Sequence, residues 1–497
     1  MAVGKHLFQW LVAGILVVSV SGGCVSHIDA RRQFMEQVKE GDYVQARETL
    51  YQVGGKRKID FLVDTCDMAM VLSRSGRYTE SNKFLERADQ KIRSYFTKNV
   101  SDVLAVIGWN ESSATYKGED FERNMVDILQ ALNYLVVGNL EKARVEAAQV
   151  NEKLKDFVMM LRRNGIHSGF TGDPFAHYIS GLAFEAGAMK EPPGSDRRNF
   201  LLDGARISYI RSRVDYNRLG GRYGLSAPPW LDMDLENVQA QLCNPKERSE
   251  VGRPCIEDGA YSEIVFLLGV GLIPHKESRK WVMSDGQDTF VVTYPEFEDT
   301  PTRVTNARVV FNNGSSSARI SMVYDLGRIA VTVNKERTEQ VKERAVARGA
   351  ARYAAKKAAR LAAQAAAASA RNNSGGGLFG AIAGLAATAV SAGISIAEAV
   401  EVADTRSWMT LPDKYLMSRL KGPPGVYDLQ VQFIGAGGSI VNTVPVKANM
   451  VANGRTFVVL HSSDAMGPRR TRYFGPRPAG QVETAEGGEP NADDGRI

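Results

Sequence analysis

A turn with the same residue pattern recurs three times in the N-terminal half of the chain. Each copy has a glycine, a large apolar residue two positions later and a small residue five positions later. The copies begin at Gly41, Gly76 and Gly138. A glycine can end a helix in the left-handed conformation, and the small residue lets the next helix pack closely. The pattern therefore predicts that residues 28–230 are a succession of helices joined by tight turns.

The spacing of these turns indicates the kind of helical array. Gly41 and Gly76 are 35 residues apart, close to the 34-residue period of tetratricopeptide repeats. The 62 residues from Gly76 to Gly138 indicate a diverged repeat or an insertion. We therefore predict a tetratricopeptide-like solenoid over residues 24–217, an architecture that usually presents a surface to a peptide or protein partner. The candidate residues for contact with a partner are Tyr43, Tyr78 and Arg144.

The first 24 residues have the composition of an export signal. A short basic stretch precedes an apolar run of 14 residues, Leu7 to Val20. Because roughly 20 apolar residues are needed to span a bilayer, the run favours a cleaved signal peptide over residues 1–23. Small residues directly before Cys24 resemble the lipobox of bacterial lipoproteins, although Ser21 replaces its usual aliphatic residue. We predict acylation of Cys24, and the alternative is an ordinary signal peptide.

Export has consequences for location, partners and cysteines. The residues after Cys24 are not acidic, so the lipoprotein resemblance implies an outer-membrane anchor that faces the periplasm, with no nucleic acid as partner. In this oxidising compartment Cys243 and Cys255 are a candidate disulfide. Both lie in residues 218–258, which are rich in glycine, proline and polar groups and which we interpret as a linker. Cys66 lies among apolar residues, and we expect a buried free thiol.

Beyond residue 258 the pattern changes to short apolar runs of strand length. The runs that predict strands are 263–269, 290–295, 307–311, 318–324, 329–333, 425–433, 440–446 and 456–461. The residues Asn312-Asn313-Gly314 are a hairpin signal between two of them. The predicted fold class is therefore α+β, with the solenoid followed by a β-sandwich-like domain over residues 259–463. Residues 464–497 have few large apolar side chains and are expected to be disordered.

A long helical insertion over residues 335–404 interrupts the predicted strands. Its first part is rich in alanine, the residue with the highest helix propensity. Basic residues recur there every four positions: Arg344, Arg348, Arg352, Lys356 and Arg360. Such a stripe either contacts an anionic surface, such as lipid headgroups or an acidic partner, or is a solvated face that keeps the helix soluble.

The second part of the insertion, residues 378–397, carries no charge. Small residues recur in it every fourth position: Gly380, Gly384, Thr388 and Ala392. Small residues at this spacing let helices approach backbone to backbone. The segment is therefore either a helix packed on a neighbour or on a second copy of the chain, or a membrane-active segment of a homo-oligomer.

Several stretches along the chain together resemble one bacterial family. They are 116–122, 131–135, 143–147, 271–277, 404–412 and 423–425. The family is that of outer-membrane lipoproteins with tetratricopeptide-like helices, which resemble products encoded near the lipoprotein activator of penicillin-binding proteins. The family has no established activity, so the resemblance implies a place in the cell envelope, with a link to cell-wall or envelope assembly, rather than a reaction.

The sequence contains no familiar catalytic pattern. The motifs HExxH, GxxxxGK[ST] and GxSxG are absent, and the cysteines lack the paired spacing of zinc sites. The best candidates for a special site are Asp404, Arg406 and Trp408, which we interpret as a structural ion pair covered by tryptophan at the junction of helix and sandwich. We therefore expect a non-enzymatic envelope adaptor without metal or cofactor that holds a protein partner. The alternative is a membrane-active oligomer or pore component that uses residues 378–397.

Overall fold

The computed structural model describes most of the chain. The residues that it describes are 27–53, 58–96, 115–163, 167–242, 261–284, 289–311, 316–336, 357–358, 361–362, 364–365, 403–465 and 467–476. Over these residues the protein is α+β, with helices in the N-terminal part and sheets in the C-terminal part. The predicted fold class is confirmed at this level.

Helices follow one another between residues 27 and 242. They are α1 (His27–Glu40), α2 (Tyr43–Val53), α3 (Phe61–Arg74), α4 (Tyr78–Phe96), α5 (Asp120–Val136), α6 (Leu140–Arg163), α7 (Pro174–Ala188), α8 (Asp196–Tyr223) and α9 (Leu231–Leu242), with a short 3-10 helix at Lys58–Asp60. Helices that are adjacent in sequence pack against each other. The short turns after α1, α3 and α5 therefore close helical hairpins.

The three turns that share a sequence pattern also share a geometry. Gly41, Gly76 and Gly138 have φ angles of +72°, +90° and +75°. In the first turn the amide of Asp42 donates to the carbonyl of Gln37 at 2.9 Å, and the other two turns repeat this bond. This is the Schellman arrangement, which satisfies the last carbonyls of a helix. The predicted left-handed caps are confirmed, and the small residues that follow are fully buried: Ala46, Ser81 and Ala143.

The strands form two larger sheets and one ribbon. They are β1 (Glu263–Val270), β2 (His275–Ser284), β3 (Thr289–Glu298), β4 (Val304–Phe311), β5 (Ser316–Ala318), β6 (Ile320–Asp325), β7 (Lys414–Lys421), β8 (Gly425–Gly435), β9 (Ile440–Met450), β10 (Arg455–His461), β11 (Gly467–Pro468) and β12 (Arg472–Phe474). A four-stranded sheet has the order β10-β1-β7-β6, and a six-stranded sheet has the order β11-β9-β8-β4-β5 with β12 also on β9. The remaining two strands, β2 and β3, pair with each other.

Strands from before and after the predicted insertion pair with each other. In the four-stranded sheet, β1 lies between β10, to which it is parallel, and β7, to which it is antiparallel. In the six-stranded sheet, β4 is antiparallel to β8. The hairpin signal at residues 312–314 lies outside the described residues, but β4 and β5 on its two sides are antiparallel neighbours. Strands on the two sides of the predicted insertion therefore belong to the same sheets.

The four-stranded sheet is the middle layer of three. Val265 and Leu267 of β1 belong to the core that this sheet forms with the helices. The alternate residues Ile264, Phe266 and Leu268 belong to the core that it forms with the six-stranded sheet. Because successive strand residues point to opposite faces, a strand buried on both faces must be apolar throughout. That requirement explains the unbroken apolar run of β1, all of which is buried.

One predicted strand is a helix. Residues 329–333 lie in a helix over 326–336, which we call α10. Its buried residues are Leu326, Ile329, Ala330 and Val333, whose spacing of three and four is that of one helix face. A short apolar run satisfies strand and helix patterns alike, and packing against the helical layer selected the helix.

Two segments predicted to lack structure contain elements. Part of the expected linker 218–258 is the end of α8 and the whole of α9, whose Leu235 and Val238 are buried. Part of the expected disordered tail forms β11 and β12, which pair with β9 and bury Phe474. In both segments the few apolar residues lie on one face of the helix or strand, and a neighbouring element packs against that face.

The turn geometry predicts how two glycine substitutions differ. Gly138→Ala should lower the free energy of unfolding by about 1–2 kcal/mol, because alanine resists the left-handed conformation. No atom lies within 4 Å of the added methyl group, so a clash contributes nothing. The measurement is urea unfolding followed by circular dichroism.

The matched control is Gly221→Ala in α8. Its added methyl group also meets nothing within 4 Å, and its φ is not positive. Alanine should raise the free energy of unfolding there by up to about 1 kcal/mol through helix propensity. Equal effects of the two substitutions would contradict the role assigned to the turn at Gly138.

Candidate functional site

Many of the residues singled out from sequence lie outside the described residues. They are Cys24, Cys243, Cys255, Arg344, Arg348, Arg352, Lys356, Arg360 and the segment 378–397. Cys66 is described, and it is a free thiol buried in α3, as predicted. Burial raises the pKa of this thiol well above its ordinary value, so that it stays protonated at neutral pH.

The two predicted tyrosines contact the protein itself. The Tyr78 hydroxyl donates to the carbonyl of Val459 in β10 at 3.1 Å, and its ring packs on the core between the two sheets. Tyr43 is half-buried against the core of α1, α2 and α3. Both rings therefore serve contacts within the protein, and Tyr78 joins α4 to the middle sheet.

Arg144, the third predicted partner residue, lines an open cleft in the helical layer. The cleft has a volume of about 440 Å³ and lies between the α5–α6 turn, the last turns of α7 and the first turns of α8. The small residues Ala183 and Gly187 of α7 are among its lining residues, with Leu201 of α8 beside them. Small side chains leave depth between two helices, and the cleft has the size of a short peptide segment.

The cleft carries more positive than negative side chains. Arg144 pairs with Glu141 at 3.2 Å, and its guanidinium lies 5.2 Å from the centroid of the Phe184 ring. Lys190 is exposed and has no carboxylate within 4 Å among the described residues. Arg197 pairs with Glu191 at 3.9 Å, so the excess positive charge of the cleft is that of Lys190. With the apolar lining, this charge favours a ligand that has both apolar and acidic groups.

Asp404, Arg406 and Trp408, which precede β7, attach this part of the chain to the helices. Arg406 donates to both carboxylate oxygens of Asp404, at 2.8 and 2.7 Å, and to Asp60 at 3.0 Å. The ring over the guanidinium is that of Tyr116, at 5.3 Å, so the prediction that Trp408 covers this ion pair was wrong. Trp408 is buried, and its amide donates to Glu122 in α5 at 2.7 Å. The segment that leads into β7 is thereby attached to the helical layer.

Glu122 is the centre of a second buried group of ionisable side chains. It accepts from the Tyr116 hydroxyl at 2.5 Å as well as from Trp408, and burial raises its pKa. Lys276 of the β2–β3 ribbon contacts Glu119 beside it. Burial alone would lower the pKa of Lys276, but the charges of Glu119 and Glu122 outweigh it and raise that pKa. These contacts join the ribbon, α5 and the segment before β7.

The most deeply buried ionic cluster joins the helices to the middle sheet. Arg419 of β7 donates to both oxygens of Glu263 in β1 and to Asp234 in α9, each at 2.7 Å. Arg455 of β10 donates to Glu263 at 2.8 Å and to Glu185 of α7 at 2.9 Å. None of these five side chains is more than 2% exposed. Three tyrosine hydroxyls complete the network, those of Tyr178, Tyr209 and Tyr261.

The pKa values in this cluster follow from its charges. Burial alone would raise the pKa of Glu263, but Arg455 and Arg419 outweigh it and hold that pKa below its ordinary value. Burial raises the pKa of Asp234 despite the charge of Arg419. These groups are almost fully buried, and their ion pairs join helices to strands, so the cluster attaches the two layers to each other.

The sequence analysis missed this cluster, although it carries a sequence signal. Three of its charged residues stand at the edge of, or inside, a short run of otherwise apolar residues: Glu263, Arg419 and Arg455. A charged residue in a strand that is buried on both faces needs a partner, because an unpaired buried charge is costly. The signal therefore indicates buried partners, but it does not indicate which residues they are.

A second ionic contact joins α4, α5 and α6. Among its carboxyl groups, that of Asp127 in α5 has the largest pKa change. It accepts from Lys153 of α6 at 2.8 Å, and Lys153 also donates to Asp89 of α4 at 2.6 Å. Burial raises the pKa of Asp127 to about 7, and the negative charges of Asp89 and Glu146 add to the increase while Lys153 opposes it. Asp127 therefore titrates near neutral pH.

Within the described ranges, no group of three or more His, Cys, Asp and Glu side chains is arranged to hold a metal ion. In that same part of the chain, no helix is long and apolar enough to cross a membrane. No protein family, curated protein or solved structure matches the chain. The family resemblance noted in the sequence therefore stays a prediction.

The ionic cluster predicts a large effect of one substitution. Arg419→Met should lower the free energy of unfolding by about 3–5 kcal/mol, because Glu263 and Asp234 would keep buried charges without their main partner. The matched control is Lys447→Met, which breaks another cross-strand ion pair at 3.0 Å with 48% and 75% exposed side chains. Its effect should stay within about 1 kcal/mol. Urea unfolding measures both, and similar losses would refute the role of the buried cluster.

The raised pKa of Asp127 predicts a pH dependence. The folded protein holds the Asp127 proton more tightly than the unfolded chain, so this group favours folding increasingly as pH falls from about 7 to about 4. The free energy of unfolding of the wild type, minus that of Asp127→Asn, should therefore rise by roughly 1.4 kcal/mol for each unit of pH decrease in that range. Urea unfolding at several pH values measures this difference. Asp428→Asn, at an exposed carboxylate, is the control, and a pH-independent difference for Asp127→Asn would contradict the assignment.

Proposed function

We propose that this protein is a non-enzymatic lipoprotein scaffold of the bacterial outer membrane that binds a protein partner in the cleft beside Arg144. Its proposed architecture is a tetratricopeptide-like solenoid over residues 24–217 followed by a β-sandwich over residues 259–463. The repeated Schellman turns support the first assignment. The shared core of the two larger sheets supports the second.

The cleft is the observation that carries the proposal. A solenoid usually offers a partner one face of its helices, but here the middle sheet covers a face of the helical layer. Tyr78 and Arg74 are two of the residues used in that contact. The cleft beside Arg144 is lined by other residues and combines a small-residue surface with an excess of positive charge. It is therefore the part of the helical layer best suited to a partner segment.

The chemistry of the buried groups supports a scaffold rather than an enzyme. Glu263, Glu185 and Asp234 each accept hydrogen bonds from an arginine of another element. These ion pairs attach helices to strands. A buried carboxylate that lost its arginine partner would be left unpaired, at a large cost in free energy. This supports a rigid body that presents a surface.

The position of Cys24 supports anchoring close to the helical layer. Cys24 precedes the first residue of α1, His27, by three residues. Three residues span at most about 10 Å, so an acylated Cys24 would hold α1 against the membrane surface. A scaffold attached so closely would present its cleft to proteins in the periplasm next to that membrane.

Site-specific photocrosslinking tests the proposal in cells. A photoreactive amino acid replaces Val137, which lines the cleft and is 49% exposed. We expect one envelope protein to be captured, and Arg144→Glu should reduce the yield at least about fivefold by removing an interfacial charge. The control position is Val426 on β8, which is 45% exposed and should capture no such protein.

Two further variants separate the parts of this proposal. Arg32→Glu reverses a 74% exposed arginine of α1, outside the cleft, and should leave the Val137 crosslink unchanged. Cys24→Ala should release the protein from the outer membrane and abolish labelling by an alkyne fatty acid. Equal yields at Val137 and Val426, or a yield unaffected by Arg144→Glu, would refute partner binding in the cleft.

A further inference from the structure

The last described residues of the chain run along the row of helix turns. Arg469 donates to the backbone carbonyl just before Gly41, in the first turn, at 3.4 Å. Three residues later, Arg472 donates to the carbonyl of Arg74, just before the second turn at Gly76. Arginines at these positions are favourable because the C-terminus of a helix carries partial negative charge. The chain beyond β10 therefore passes the first turn and then the second.

Strand β10 gives the direction in which this stretch of chain continues. Three residues after Arg472, a Cβ atom added to Gly475 would lie 3.1 Å from the side chain of Thr456 in β10. Arg455, the neighbour of Thr456 and the first residue of β10, donates to Glu185 of α7 at 2.9 Å. The stretch therefore leads from the second turn towards the end of α7.

The cleft beside Arg144 lies next along this path. The third turn lines the cleft, and so does Gly187 near the end of α7. The third turn adjoins the second, because Ser73 of α3 donates to Asn133 of α5 at 2.8 Å. The described stretch, which ends at Pro476, therefore approaches the cleft.

The residues that follow Pro476 have a composition that matches the cleft. They lie outside the described residues, and the sequence from 478 to 495 holds five acidic residues and no basic one. The only large apolar residue in that range is Val482. Residues 482–489 contain Val482 and three of the acidic residues, and we call them the acidic segment. A cleft with a partly apolar lining, whose excess charge is that of Lys190, favours this combination.

The acidic segment is long enough to reach the cleft. It begins six residues after Pro476 and ends thirteen residues after it. Because an extended chain covers about 3.3–3.6 Å per residue, the segment can extend to roughly 20–45 Å from Pro476. The cleft, with its volume of about 440 Å³, accommodates a few residues of the segment.

We infer that the acidic segment occupies the cleft of its own molecule and that the protein partner must displace it. This inference rests on the proposed function, since it adds regulation to the same site. A segment tethered by a short linker has an effective concentration of about 1 mM, so a contact with a dissociation constant of about 0.1 mM fills the cleft about nine-tenths of the time. The apparent affinity of the cleft for a partner then falls about tenfold.

Photocrosslinking within the purified full chain tests the occupancy of the cleft when no partner is present. With the photoreactive amino acid at Val137, mass spectrometry should identify crosslinks between position 137 and residues 482–489. The same amino acid at Val426 on β8 should give none of these crosslinks. A mixture of isotope-labelled and unlabelled chains should show that each crosslink joins two positions of one copy.

Two charge variants of the same part of the sequence test the contact itself. Glu483→Gln, Glu486→Gln and Glu489→Gln together should reduce the internal crosslink at least about fivefold, because the attraction to the cleft is lost. The matched control is Asp493→Asn with Asp494→Asn, which removes charge beyond the acidic segment and should leave the crosslink unchanged. All five positions lie outside the described residues, so neither variant removes a contact described above. Absence of the internal crosslink, or an equal loss in both variants, would overturn the inference.

Capture of the partner in cells separates this inference from the proposed function. The triple glutamine variant should raise the yield of the envelope protein captured at Val137, by up to about tenfold, because the cleft is vacated. If that yield is the same with and without the acidic charges, the inference fails and the proposed function stands. If the internal crosslink forms but no envelope protein is captured by either form, the acidic segment does occupy the cleft and the proposed function fails.

Discussion

The buried ion pairs between the helices and the middle sheet are the interaction on which the rest of this structure depends. Arg419 and Arg455 extend from β7 and β10 into the helical layer, where acidic residues of α7 and α9 accept their hydrogen bonds. A charge buried without a partner costs several kcal/mol, so the layers can meet only where every charge is paired. Apolar packing favours contact between helices and sheet, and the ion pairs select a single alignment.

That alignment determines which surfaces remain for other molecules. The middle sheet is buried by helices on one face and by the six-stranded sheet on the other, so it contributes core and little surface. The helices keep only the sides that face away from it. One feature of those sides differs from an ordinary polar surface: the cleft beside Arg144. The proposed partner site therefore belongs to the helical layer.

Sequence patterns predicted the local structure well where a single residue type carries the physical requirement. The glycine turns at 41, 76 and 138 are an example, since the left-handed cap depends on one residue without a side chain. The prediction was wrong at 329–333, where a short apolar run fits both a strand and a helix. It was also wrong in α9 and β12, where a few apolar residues are enough to stabilise an element. In those segments the neighbouring layer decides, because burial of one face stabilises whichever element presents it.

The sequence by itself determined the glycine turns, the helices that they join and several of the strands, because propensity, periodicity and glycine act over a few residues. It also placed Arg144 beside one of those turns. Only the tertiary structure decided that Tyr78 faces the protein's own sheet, that Asp404 and Arg406 clamp a strand to the helices, and that Arg419 pairs with Asp234. Arg419 and Asp234 are 185 residues apart. No local pattern links residues so distant, and only the packing of the layers brings their charges together.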